Sequence, residues 1–156
     1  MKTRFMQSSH VLVAIAFVAS VAALTAQGHS ELAQTRAATA QYHDVDSALA
    51  DGYVDINECA PGEGCHIVNF GLIDCEFEAD RPEILVYAPA PGGRLRLAAV
   101  EFVVPLSCAA DAPEGYVGDE DAWREDSEGF GLWEMTAWMW LANPDGMFAQ
   151  TNPRVP

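Results

Sequence analysis

A small set of polar side chains in the second half of the chain could carry out chemistry. His66 and Glu101 stand in runs of apolar residues with strand-like composition, and Glu134 and Thr136 alternate along a third such run. An imidazole and two carboxylates can bind a divalent metal ion. His66, Glu101 and Glu134 are therefore the candidate metal ligands, and a divalent cation is the candidate cofactor. Alternatively, His66 beside Glu101 could act as an acid–base pair.

Two tryptophans continue the same alternation. If residues 132–141 form a regular strand, one face is purely apolar and the other carries the polar residues together with two Trp side chains. Trp rings can line a small-molecule pocket or hold a cation over their faces. The candidate binding site for a small ligand or cation is a concave sheet face lined by His66, Glu101, Glu134, Thr136, Trp138 and Trp140.

A predicted β-hairpin over residues 83–106 is the element that must position these side chains. Two apolar runs flank a Pro- and Gly-rich turn at 89–93, which favours two antiparallel strands. In a regular strand, Glu101 shares a face with the apolar Leu97. A β-bulge near Ala98–Ala99 would reverse the phase, place the alternate apolar residues in the core and leave Glu101 in solvent. Both placements of Glu101 are open from the sequence.

The remaining elements predict the fold class. Apolar residues recur every three to four positions from residue 35 to a stop at Gly52, which indicates an amphipathic helix. A turn-rich connector follows at 54–65, and a long acidic loop occupies 107–131. We predict an α+β fold, with one amphipathic helix packed on a curved antiparallel sheet of about four strands. Cystatin-like and NTF2-like folds share this layout by analogy.

The N-terminus has the pattern of a secretory signal peptide. Lys2 and Arg4 precede an apolar run of 14 residues, Val11–Leu24. As a helix that run would reach about 21 Å, short of a bilayer core of roughly 30 Å. Small residues follow, with candidate cleavage sites after Ala23, Ala26 or Gly28. We predict a signal peptide at 1–26, a flexible lead-in at 27–34, a single domain at 35–156, no membrane span after cleavage, and export to the periplasm or the extracellular space.

The cysteine content and the net charge limit the possible chemistry further. An even number of Cys in an exported chain predicts two disulfides, with three possible connectivities among Cys59, Cys65, Cys75 and Cys108. Without residues 1–26, 23 acidic residues face only six Arg. So acidic a protein is repelled by nucleic acid and by anionic membranes, and it attracts cations or basic partners. The oligomeric state is left open.

Five segments together resemble a family of exported bacterial proteins of unassigned activity. They are TAQYHDVDSALADGYVDI, CHIVN, RPEILVYAP, GRLRLAAVEFVVP and AWMWLANPDGMFAQTNP, within residues 36–153. The resemblance implies a shared fold and no reaction. His66, Asn69 and Glu101 fit the family pattern. The family commonly has His at the position of Thr136 and a His-rich long loop, whereas residues 109–131 contain no His, which weakens a copper or zinc site.

These observations lead to one functional hypothesis and two alternatives. The leading hypothesis is an exported binding module for a small ligand or cation on the sheet face. The first alternative is a hydrolase or lyase that uses His66 and Glu101. The second is a protein-interaction domain that uses the acidic loop. The chain contains no GxSxG motif, and Gly92-Gly93 has no helix start after it, so neither a nucleophile elbow nor a phosphate loop is indicated.

Overall fold

The computed structural model describes residues 30–118, 121–126 and 129–156. The predicted signal peptide at 1–26 lies outside the described residues. Helix α1 covers 30–39, a 3-10 turn covers Ala40–His43, and helix α2 covers Val45–Ala50. None of the described helices is long and apolar enough to cross a membrane.

The predicted amphipathic helix is present as a helical segment divided into two helices. Asp44 separates them, because its extended backbone starts α2 and its side chain accepts a hydrogen bond from the Asp46 N–H. Gly52 follows α2 with φ 92°, a left-handed conformation suited to Gly. The segment also begins earlier than predicted. Residues 30–34 of the expected flexible lead-in are helical, because Leu32 packs against the core.

In the described part of the chain, six strands form one antiparallel sheet in the order β1-β2-β3-β4-β6-β5. The strands are β1 Val54–Ala60, β2 Gly64–Val68, β3 Ile84–Ala90, β4 Arg94–Pro105, β5 Arg124–Glu125 and β6 Leu132–Ala137. The α+β class and the antiparallel sheet are confirmed, but the prediction of about four strands was too low. The additional strands are β1, in the supposed connector, and β5, in the acidic loop.

The predicted hairpin is confirmed as β3 and β4, which pair from Ala90↔Arg94 to Ile84↔Glu101. The register shifts between Val86 and Tyr87, whose partners are Ala99 and Leu97, so Ala98 is the extra residue of a β-bulge. The bulge lies where the sequence analysis placed it. It keeps Leu97 and the later apolar residues of β4 in one core.

Each face of the sheet has its own apolar cluster. The helices cover one face, where Ala48 of α2 packs in the same cluster as Leu85, Val100 and Phe102. Strand alternation puts the intervening residues on the opposite face, which we call the site face. There, Val86, Ala99 and Trp138 pack with Val155 near the C-terminus.

Two disulfides are present, Cys59–Cys65 and Cys75–Cys108. Cys59 and Cys65 are register partners on β1 and β2, so their bond joins the sheet's edge strand to its neighbour. The second bond ties the loop after β2 to the segment after β4. The predicted pair of disulfides is confirmed, and one of the three connectivities is selected.

Candidate functional site

A cavity of about 360 Å³ opens on the site face. Its walls are mainly apolar, and six ionisable side chains reach it. The lining residues are Ile56, Glu58, Glu63, His66, Val68, Phe70, Ile73, Ile84, Glu101, Val103, Arg124, Phe130, Leu132, Glu134 and Gln150. This size lies at the small end of the range for ligand pockets, roughly 300–1,000 Å³.

Strand register explains how distant residues reach this cavity. On β6, Glu134 lies opposite Val103 of β4 on one side and opposite Arg124 of β5 on the other. Two residues along, Glu101 of β4 lies opposite Thr136 of β6. Alternation places all five side chains on the site face.

His66 and Glu101 form a pair across β3. Nε2 of His66 lies 3.3 Å from Oε2 of Glu101, whose residue is only 8 % exposed. Burial alone would raise the pKa of Glu101, but its contact with His66, supported by Thr136 and Arg124, holds that pKa below its usual value. Burial also opposes protonation of His66, yet Glu101, with smaller contributions from Glu58 and Glu63, raises the pKa of His66. Each group of the pair therefore favours the charged form of the other.

Oε1, the second carboxylate oxygen of Glu101, takes part in a series of polar contacts with Thr136 and Arg124. Oγ1 of Thr136 donates a hydrogen bond to Oε1 of Glu101 at 2.7 Å, and Nη2 of Arg124 donates to Oγ1 of Thr136 at 2.9 Å. Nη2 of Arg124 also lies 3.9 Å from Glu101 and 3.6 Å from Oε2 of Glu134. The Arg124 guanidinium thus interacts with the carboxylates of both Glu101 and Glu134. Its Nε is buried without a hydrogen-bond partner among the described residues.

Glu134 differs from Glu101 in its ionisation. Burial and the negative charge of Glu101 raise the pKa of Glu134 to about 7, although Arg124 opposes the shift. This carboxyl exchanges its proton near neutral pH, whereas Glu101 stays ionised. The two carboxylates of the predicted site therefore differ in ionisation, although they lie on neighbouring strands.

The three proposed metal ligands do not form a metal centre in this arrangement. Among the described residues, no group of three or more His, Cys, Asp or Glu side chains is placed to hold a metal ion. Arg124 also opposes a metal ion here, because its Nη2 lies 3.9 Å from Glu101 and 3.6 Å from Glu134. A positive side chain there already neutralises the carboxylates and repels a divalent cation.

The two tryptophans of the predicted site do not line the cavity. Strand β6 ends at Ala137, so the alternation does not extend to Trp138 and Trp140. Trp138 packs in the apolar cluster beside the cavity, and its Nε1 donates to the carbonyl of Ala149. Trp140 packs on the helix side, with its ring 4.4 Å from that of His43. Neither Trp lines the cavity.

The two sequence-based placements of Glu101 are each correct in part. The bulge at Ala98 exists and turns Glu101 away from the helix-covered core. The expectation that this would leave Glu101 in solvent was wrong. The side chains that form the cavity on the site face also bury Glu101. Glu101 is buried on the face opposite the main core, with His66 as its partner.

Several residues of the site were not predicted from the sequence. Arg124 had one visible signal, since it is the sole basic residue of the acidic segment 109–131. Glu58 was not identified as a candidate because the segment of β1 was interpreted as an irregular connector. Phe70 and Phe130 are 61 % and 69 % exposed at the cavity, and loop positions such as these carry no periodic signal.

Comparisons with known proteins identify no relative. No family model matches the chain, and no curated protein and no solved structure matches it significantly. The resemblance to exported bacterial proteins stays a prediction from the sequence.

Proposed function

We propose that this protein is an exported binding module that holds one small molecule in the cavity on its site face. The observation that carries the proposal is a mainly apolar cavity of about 360 Å³ with an interacting set of charged side chains, which is the composition of small-molecule sites. Two disulfides and the signal-like N-terminus support export, because disulfides persist in oxidising compartments. The analogy with cystatin-like or NTF2-like folds stays a proposal and adds no function.

Ligand-observed NMR with a mixture of small amphipathic fragments tests this function. Ile84→Trp adds a large ring to the cavity wall and should abolish fragment binding. Leu49→Trp is the matched control, because Leu49 is exposed on α2 and does not line the cavity. If no fragment binds, or if bound fragments are unaffected by Ile84→Trp, the cavity is not a binding site.

A bare divalent cation is the less favoured ligand. Nη2 of Arg124 lies within 4.0 Å of both carboxylates that would have to share the ion. Elemental analysis of the purified protein should therefore find no stoichiometric divalent metal, and added divalent ions should not raise the melting temperature. Stoichiometric metal that is lost in Glu101→Gln would restore the metal hypothesis.

Proton-transfer catalysis is a second candidate, favoured by one observation. The cavity holds a carboxyl, Glu134, whose pKa is raised to about 7 and which can give or take a proton near neutral pH. Among the described residues, the cavity lining includes no Ser or Cys, so a lyase fits better than a hydrolase with a covalent intermediate. Mass spectrometry of a bound ligand after incubation separates the functions, because a binding module returns it unchanged.

A further inference from the structure

The cavity lining carries more acidic than basic groups. Four carboxylates reach it, against one guanidinium and one imidazole. His66 is engaged by Glu101, and Nη2 of Arg124 lies within 4.0 Å of both Glu101 and Glu134. The remaining two carboxylates, Glu58 and Glu63, have no basic side chain within 4.0 Å in the part of the chain that the structure describes.

The field of these two carboxylates reaches the interior of the cavity. Burial opposes protonation of His66, and beyond the dominant effect of Glu101, both Glu58 and Glu63 raise its pKa. On β1, Glu58 is the register partner of His66. The whole chain carries a formal net charge of −15, which adds to the same sign of potential. A cationic group entering the cavity is therefore attracted, and an anionic group is repelled.

The apolar walls decide which kind of cation fits. A strongly hydrated metal ion gains little from aliphatic walls, and Arg124 lies beside the two carboxylates that would ligate it. An organic cation buries its apolar body against Ile84 and Val103. The exposed rings of Phe70 and Phe130 add apolar surface and two π-faces, which attract ammonium groups.

We infer that the ligand is an organic cation, a protonated amine or a quaternary ammonium, joined to a short apolar body. This inference rests on the proposed binding function and deepens it. The apolar body lies against the aliphatic walls, and the cationic head is balanced by Glu58 and Glu63. Recognition is then electrostatic at the head and hydrophobic along the body.

Three probes of equal chain length test the inference: hexylamine, hexan-1-ol and hexanoate. Isothermal titration calorimetry at neutral pH and low ionic strength should show hexylamine binding about tenfold more tightly than hexan-1-ol, with hexanoate weakest. Added salt should weaken hexylamine binding and leave hexan-1-ol binding nearly constant, because salt screens charge attraction and not apolar burial.

The outcomes separate this inference from the proposed function. If hexan-1-ol binds as tightly as hexylamine, or if hexanoate binds best because Arg124 and His66 dominate, the ligand class is wrong while small-molecule binding stands. If none of the three probes binds, and the fragment mixture also shows no Ile84-dependent binding, both proposals are refuted.

Substitutions at the unpaired carboxylates give a second readout. Glu58→Gln and Glu63→Gln should each weaken hexylamine binding several-fold and leave hexan-1-ol binding unchanged, because only the charged probe senses the carboxylate. Glu125→Gln is the matched control, since Glu125 is an exposed acid on β5 outside the cavity lining. An equal loss in Glu125→Gln would mean that the general surface charge, and not the cavity, attracts the amine.

Discussion

Glu83 is a buried carboxyl whose ionisation should set the pH dependence of stability. The residue is 3 % exposed, and its Oε2 accepts a hydrogen bond from the Val103 N–H at 3.1 Å. Because the pairing of β3 with β4 ends at Ile84↔Glu101, this side chain satisfies a backbone N–H beyond the end of the ladder. Burial, only partly offset by that bond, raises the pKa of Glu83 from 4.5 to about 8.

The sign and size of the effect follow from linkage. Between pH 4.5 and about 8, the folded protein holds the Glu83 proton while the unfolded chain has released it. The free energy of unfolding therefore falls as pH rises through this window. At about 1.4 kcal/mol for each unit of pKa shift, the wild type loses about 4 to 5 kcal/mol by pH 9 from this residue alone.

Glu83→Gln should remove this loss. Its amide oxygen still accepts from Val103, but it carries no charge at any pH. Urea unfolding followed by Trp fluorescence, with the disulfides intact, should give similar stabilities for wild type and variant at about pH 5. At about pH 9 the variant should be more stable by several kcal/mol. Other titrating groups, including Glu134, are present in both proteins and cancel in the difference.

Two further variants sharpen this test. Glu76→Gln changes an exposed carboxylate and should keep the wild-type pH dependence. Glu83→Leu should cost about 1 to 3 kcal/mol near pH 5, because it leaves the Val103 N–H without an acceptor. A stability difference between wild type and Glu83→Gln that stays constant from pH 5 to pH 9 would falsify the assignment of this pH dependence to Glu83.

Three more expectations concern the site and the disulfides. His66→Ala should cost about 3 kcal/mol near pH 6 in urea unfolding, because Glu101 loses its main counter-charge. That loss should shrink as pH falls through the lowered pKa of Glu101 and as pH rises through the raised pKa of His66; a pH-independent loss would contradict the ion pair. Hexylamine affinity measured by calorimetry should rise from about pH 6 to pH 8 as Glu134 ionises around pH 7, and Glu134→Gln should flatten that rise. Replacing both cysteines of a bond by Ser should cost about 4 kcal/mol for Cys75–Cys108 and about 2 kcal/mol for Cys59–Cys65, since their sequence separations are 33 and 6; the reverse order in urea unfolding would contradict the chain-entropy argument.

Local patterns were sufficient for the hairpin and the helical segment, and they indicated the bulge at Ala98 as one of two alternatives. Each depends on residues close in sequence, namely turn chemistry, helical periodicity and the phase of one strand. Strand β1 was missed because the Pro and Gly of the turn at 61–64 were taken as evidence against regular structure throughout 54–65. The alternation Val54, Ile56, Glu58 was visible, but strand pairing and the Cys59–Cys65 bond establish it.

The candidate site was harder to predict because its parts meet through long-range pairing. Arg124 joins Glu101 and Glu134 only because the two-residue strand β5 returns to pair with β6, and so short a strand has no periodicity to detect. Trp140 was misplaced for a related reason. Its N–H and that of Leu141 both donate to the carbonyl of Ala98, the bulged residue, which turns the chain after β6 ends.

Glu83 and Glu101, the buried glutamates among the described residues, differ in what explains their burial. Glu83 satisfies a backbone N–H, so the fold itself accounts for its polar group. The partners of Glu101 in the described part of the chain are the side chains of His66, Thr136 and Arg124. A buried ionic set of this kind can often be replaced by apolar residues without loss of stability. Stability alone therefore gives no reason for charge at this position, whereas the proposed recognition of a polar or charged group in the cavity does.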